Sequence, residues 1–133
     1  MAFKSSLARM ATVGVIAIVV FASAVHAHHS NSAYDTGKTL VWNVAVTEFR
    51  FVNPHAYVFF TMADAGGKSV NGRCELAART ALARLGWTVE TIKPGEKITI
   101  KGAPCRNEAN VCLLNSFIHA DGTEVGAHQS FSQ

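Results

Sequence analysis

"AARTALARLGW", residues 77–87, is the one stretch of this chain with helical spacing, and its place in the order of elements decides the fold. Leu76, Ala81, Leu82 and Leu85 recur near a 3.6-residue period, and Gly86 stands where a left-handed C-cap belongs. On both sides the pattern is β. Upstream, "TLVWNVAV" (39–46) alternates through Leu40, Trp42, Val44 and Val46, the mark of a strand with one buried face. The apolar phase then flips to Phe49 and Phe51. A one-residue slip turns every side chain over, so a bulge or sharp bend near Thr47 or Glu48 is predicted. "NPH" (53–55) interrupts the pattern, because Pro54 lacks an N–H and biases Asn53 towards an extended shape. "AYVFFTM" (56–62) then reads as a second strand, "DAGG" (64–67) as a turn and "KSVNGRCEL" (68–76) as a third strand.

Downstream, "KPGEK" (93–97) is a Pro-Gly turn, and "KITIKG" (97–102) places Ile98 and Ile100 on one face. "VCLLNSFIHA" (111–120) is a further strand, Asp121-Gly122 a hairpin turn, and "TEV" (123–125) a short last strand. Three strands, one helix, then two or three strands is the order of an all-β, OB-like Greek-key barrel of five or six strands. A β-sandwich of similar size is the rival, and the single helix between strands three and four favours the barrel. The barrel is expected over 39–126, after an extended segment 28–38 and before a tail, 127–133, without periodicity.

The first 27 residues have the parts of a secretory signal peptide. Lys4 and Arg9 form the positive region, and "MATVGVIAIVVFASA" (10–24) is apolar but short of the ~20 residues that span a bilayer. Small residues offer cleavage after Ala24 or after Ala27, the second being preferred. Residues 28–133 would remain, without Lys4 and Arg9, so the formal charge falls from +3 to +1, ten basic against nine acidic side chains. That balance offers no footprint for nucleic acid, and the mature chain keeps no stable membrane span. The expected compartment is periplasmic or secreted.

Export implies oxidising surroundings, where disulfides persist. Cys105 and Cys112 flank the polar stretch "RNEANV", and a bridge between them would contribute roughly 2–3 kcal/mol by constraining the unfolded chain. Cys74 is then left as a small buried hydrophobe in a strand.

"HHSNSAYDTGKTLVWNVAVTEFRFVNPHAYV" (28–58) and "ALARLGWTVETIKPGEKITIKGAP" (81–104) resemble small exported proteobacterial proteins classed only as a domain of unknown function. The more specific marks are "HHS" after the leader, "NPHA", "LGW" and "KPGEKITIKG". The resemblance covers nearly the whole mature chain and implies export and an OB-type barrel, with no activity or ligand attached. The pair Cys105 and Cys112 departs from the Gly-rich loop usual there, so the expected bridge belongs to this chain alone.

Function classes separate by residue type. Cleavage after Ala27 would make His28 the first residue, its α-amine and imidazole forming a chelate suited to Cu(II), with zinc the next candidate. His29 adds a second imidazole and His55, from the loop after the first strand, a third. If cleavage fell after Ala24, that chelate would vanish. The alternative is a barrel that binds a protein or small ligand on one face, with Trp42, Tyr57 and Trp87 as candidate contacts. Against that stands the usual fate of strand aromatics, which is the core. His119, beside Phe117, reads as a partly buried structural histidine. No HExxH, GxSxG or phosphate-binding loop is present, and Ser116 and His119 lie three apart on a strand, on opposite faces. An exported, non-enzymatic binding module is the expectation.

Overall fold

The computed structural model describes residues 32–128, and its compact barrel unit begins at Tyr34. Six strands and one helix follow in order: β1 (Leu40–Arg50), β2 (Tyr57–Ala63), β3 (Ser69–Glu75), α1 (Arg79–Arg84), β4 (Lys97–Pro104), β5 (Val111–Ile118) and β6 (Glu124–Gly126). The first half of β1 pairs antiparallel with β4, Leu40 opposite Gly102 through Ala45 opposite Lys97. Its second half pairs with β2, ending at Arg50 opposite Tyr57. The register shifts between Val46 and Glu48, so the predicted bulge lies at Thr47 and lets one long strand serve two partners.

Hairpins join β2 to β3 and β4 to β5 in antiparallel pairs. A short parallel seam then closes the sheet: Arg73 opposite Val111, Cys74 opposite Cys112, and Glu75 opposite Leu113. The circuit β1-β2-β3-β5-β4-β1 is the closed five-stranded barrel of the OB type, with β6 added against the end of β5. Val58, Phe60, Ile100, Leu114 and Phe117 point inward and are fully buried.

The disulfide is Cys74–Cys112, with Cα atoms 4.4 Å apart, and Cys105 is free. This corrects the expected Cys105–Cys112 bridge, and strand parity is the reason. Pro104 sits opposite Cys112 on the β4–β5 ladder, so the next residue, Cys105, turns its side chain to the other face. Cys74 instead meets Cys112 directly across the seam, both fully buried. Beside them Gly102 marks a register shift, and a Cβ there would collide with the Leu113 carbonyl and sit 3.1 Å from Cys112 Sγ.

Helix α1 is only six residues long and has no side-chain N-cap. Its C-terminus follows the prediction: Gly86 has φ +87°, with Gly86 N–H donating to Ala83 O and Trp87 N–H to Leu82 O. Those two bonds form a Schellman cap, and both Leu82 and Trp87 enter the core.

The domain edges move slightly. Tyr34 is buried and bridges Cys105, and Asp35 N–H donates to Pro104 O at 2.8 Å, so the fold starts five residues before Thr39. Ala127, expected in the tail, is buried and donates to Asn115 O at 2.8 Å. Residues 129–133, and with them most of the expected tail, lie outside the described residues.

Candidate functional site

Where β2 begins and β3 ends, three polar side chains meet. His55 closes the β1–β2 connection, directly after the cis peptide Asn53–Pro54. Ala56 holds it against the chain leaving β3, donating to Ala77 O and accepting from Leu76 N–H. Glu75 is the last residue of β3, opposite Tyr57 on one side and Leu113 on the other. It also directly follows Cys74, which is bridged to Cys112.

His55 Nδ1 lies 3.0 Å from Glu75 Oε1, the imidazole side chain 39% exposed and the carboxylate 17%. Tyr34 donates its hydroxyl to the second oxygen, Glu75 Oε2, at 2.8 Å. Burial, and then the Glu75 carboxylate, push the Tyr34 hydroxyl well above the usual phenol range, so it stays a donor. Burial and the same carboxylate also raise Tyr57. Both oxygens of Glu75 are therefore occupied, while among the described residues no hydrogen bond or ion pair falls on His55 Nε2. A carboxylate against one ring nitrogen and an open second nitrogen is the environment that metal-ligating histidines commonly have. Among the described residues, no three His, Cys, Asp or Glu side chains converge as a complete metal cage.

The other expected residues fall apart from this cluster. His28 and His29 lie outside the described residues. Trp42 is half-buried, packed on the core with its ring 6.0 Å from that of Phe60. Tyr57 does face outward from the start of β2, its ring 6.1 Å from Phe59. Trp87 is 3% exposed and donates Nε1–H to Gly126 O at 3.0 Å, so as a ligand-face residue it is corrected to the core. The residues that sequence reasoning missed are Glu75 and Tyr34. Alternation in "GRCEL" puts Glu75 on the outer face, but the partner in "SAYDTGK" has no periodic signal.

At the other end of the strands a second histidine meets a carboxylate, His119 Nδ1 against Glu96 Oε1. Its ring also stands edge-on to Phe117 at 4.8 Å, and it ties the β5–β6 turn to the turn before β4. The partly buried structural role expected for it is the one this geometry describes. Beside it an open groove of about 630 Å³ crosses β1, lined in part by Asn43, Thr61, Met62, Lys97 and Thr99.

Residues 15–114 match a family of unknown function (DUF6152). The chain belongs to this family. The match takes in β1 to β4 and α1, with His55, Glu75 and Tyr34 all inside it. No curated protein matches the chain.

Proposed function

We propose that this family member is an exported, non-enzymatic binding module that takes a copper or zinc ion, with His55 as its ligand on the barrel. The observation that carries the reading is the His55–Glu75 contact: one ring nitrogen faces a carboxylate, and the other has no hydrogen bond or ion pair among the described residues. Imidazole nitrogen suits both metals, and a terminal amine–imidazole chelate favours Cu(II). The remaining donors of the proposal are His28 and His29, in a chain cut after Ala27. A buried disulfide supports the oxidising compartment that export would give.

The test is an intact mass of protein recovered from cells, followed by melting with Cu(II) or Zn(II). The expected mass begins at His28 and includes one metal ion that survives a chelator wash. At 100 times its Kd the ion stabilises by ~2.7 kcal/mol, roughly 10 °C for a domain near this size. His55→Ala and the double change His28→Ala, His29→Ala should each abolish most of that shift. A mass beginning at Val25, or an unchanged shift in both variants, would discard the metal reading.

A second reading is a barrel that binds a small molecule or protein without metal, and the groove beside His119 favours it. Under that reading Thr61→Trp, which fills the groove, removes binding while His55→Ala leaves it intact.

A further inference from the structure

The outer face of β1, β2 and β3 carries a second pattern, independent of any metal, and from it we infer a binding site for a neutral oligosaccharide. Side chains alternate along each strand, so the outward residues stand in cross-strand rows. Phe59 lies between Glu48 on β1 and Arg73 on β3, and Tyr57 between Arg50 and Glu75. Each row is thus an aromatic ring flanked by one carboxylate and one guanidinium, with the signs exchanged from row to row. Both rings are half-buried on this face, their centroids 6.1 Å apart and their planes at 37°. Beside Phe59 the face runs into an open hollow of about 180 Å³, bordered by Asn71, Arg73 and the loop residue Glu108.

The charges decide which ligand fits. Arg50 donates from Nε to Glu48 Oε1 at 2.6 Å and from Nη2 to Oε2 at 3.1 Å, and its guanidinium lies over the Phe59 ring, 4.5 Å from the centroid. Arg73 grips Glu108 in the same forked way, at 3.0 and 2.9 Å. Glu75 is held by Tyr34 and His55. Every charged group around the two rings is therefore already engaged, and neither a polyanion nor a cation finds an open counter-charge. An apolar ligand fits no better, since covering the rim would strip water from two ion pairs. What the rim keeps is neutral hydrogen bonding. Each guanidinium has five N–H groups and spends two on its carboxylate, whose remaining lone pairs still accept. A sugar ring matches both parts: its C–H face lies on an aromatic ring, and its hydroxyls reach donors and acceptors at the edge. In barrels of this topology the face of strands two and three takes oligonucleotides or oligosaccharides, and arginines that are already paired disfavour the phosphates of the first. Tyr57 is the floor without a cation over it, and the adjoining ring and hollow give room for more than one sugar. The larger groove beside His119 has no Phe, Tyr or Trp among its described lining, so it offers no such floor.

The test is nitrogen-15 NMR of the purified protein with EDTA present, titrated with cellohexaose, chitohexaose, maltohexaose and mannohexaose, and with oligothymidylate as the polyanion. At millimolar sugar, at least one hexasaccharide is expected to shift the amides of Glu48, Arg50, Tyr57, Phe59 and Arg73. Those of Lys97 and Thr99, in the groove, should stay in place, and oligothymidylate should move neither set. Tyr57→Ala should weaken binding of that sugar about 10-fold, while Tyr57→Phe, which keeps the ring, stays near wild type. Thr99→Trp, which obstructs the groove, should bind as wild type does. No sugar shifting these amides, shifts centred on the groove, or oligothymidylate moving them at lower concentration would overturn the inference. So would equal affinity in wild type and Tyr57→Ala. The wild-type map decides the matter even if a variant fails to fold. Because metal is chelated throughout, the copper or zinc reading stands or falls separately, on its own titration.

Discussion

At the scale of single residues, Tyr34 gives the sharpest expectation. Its hydroxyl is buried against an anion, so the fold favours the protonated phenol and raises its pKa above the ordinary value near 10. The sign follows directly. Stability from this group is whole below pH 10 and drains away as pH rises beyond it, because only the unfolded chain then releases the proton. Unfolding free energy should therefore fall by up to about 1.4 kcal/mol per pH unit above pH 10 on account of Tyr34. Tyr57, also raised, adds to the slope. Tyr34→Phe should be about 2 kcal/mol less stable at pH 7, having lost a hydrogen bond to a charged acceptor, yet flatter above pH 10. Urea denaturation at pH 7, 9, 10 and 11 checks both; equal alkaline slopes would refute the assignment. Trp87 offers a second case. In Trp87→Phe the Gly126 carbonyl loses its 3.0 Å donor, and a cost of about 1–3 kcal/mol should appear as a lower urea midpoint with an unchanged m-value.

At the scale of elements, the barrel depends on a seam of three residue pairs, the only parallel pairing among the described strands. The Cys74–Cys112 bridge crosses it and closes a loop with a sequence separation of 38, which constrains the unfolded chain by about 4 kcal/mol. The double change Cys74→Ala, Cys112→Ala should lose about that much in a denaturant titration. Cys105→Ala, free and on another face, should lose little. A loss in Cys105→Ala as large as that in the pair would restore the bridge expected from sequence, because both changes would then break it. Why that expectation failed is instructive. Strands, the Thr47 bulge and the Gly86 cap all leave local marks, a period, a phase flip or a glycine at the right step. The pairing of β3 with β5 leaves none, since it joins strands 38 residues apart that never share a hairpin. Cys105 and Cys112 looked like partners because a loop joins them, but parity across the β4–β5 ladder sets their side chains on opposite faces. The same limit hid part of the site. His55 was visible as a donor after Pro54, and Glu75 meets it across the β2–β3 hairpin, opposite Tyr57. Tyr34 arrives only through its long-range bridge to Cys105.

At the scale of the whole barrel unit, the two histidine–carboxylate pairs sit at opposite ends of the same strands. His55 precedes Tyr57 at the start of β2, while the groove beside His119 includes Thr61 to Ala63 at its end. Seven residues of β2 set about 20 Å between them. Phe60 and Phe117, both fully buried, fill the barrel between the ends. Two ligand chemistries would therefore register on different residues. Cu(II) is paramagnetic and broadens nearby amide signals, so it serves as a ruler. Substoichiometric Cu(II) added to nitrogen-15-labelled protein should erase the amides of His55, Ala56, Tyr57 and Glu75 first. Those of Lys97, Thr99 and Ala120 should stay sharp until copper is in excess. Broadening that begins around His119 instead would move the metal to the Glu96 end and leave the His55–Glu75–Tyr34 cluster as an element of stability alone. Uniform broadening, with no amide leading, would mean that neither pair holds the ion, and the groove across β1 would become the surface to probe with small ligands.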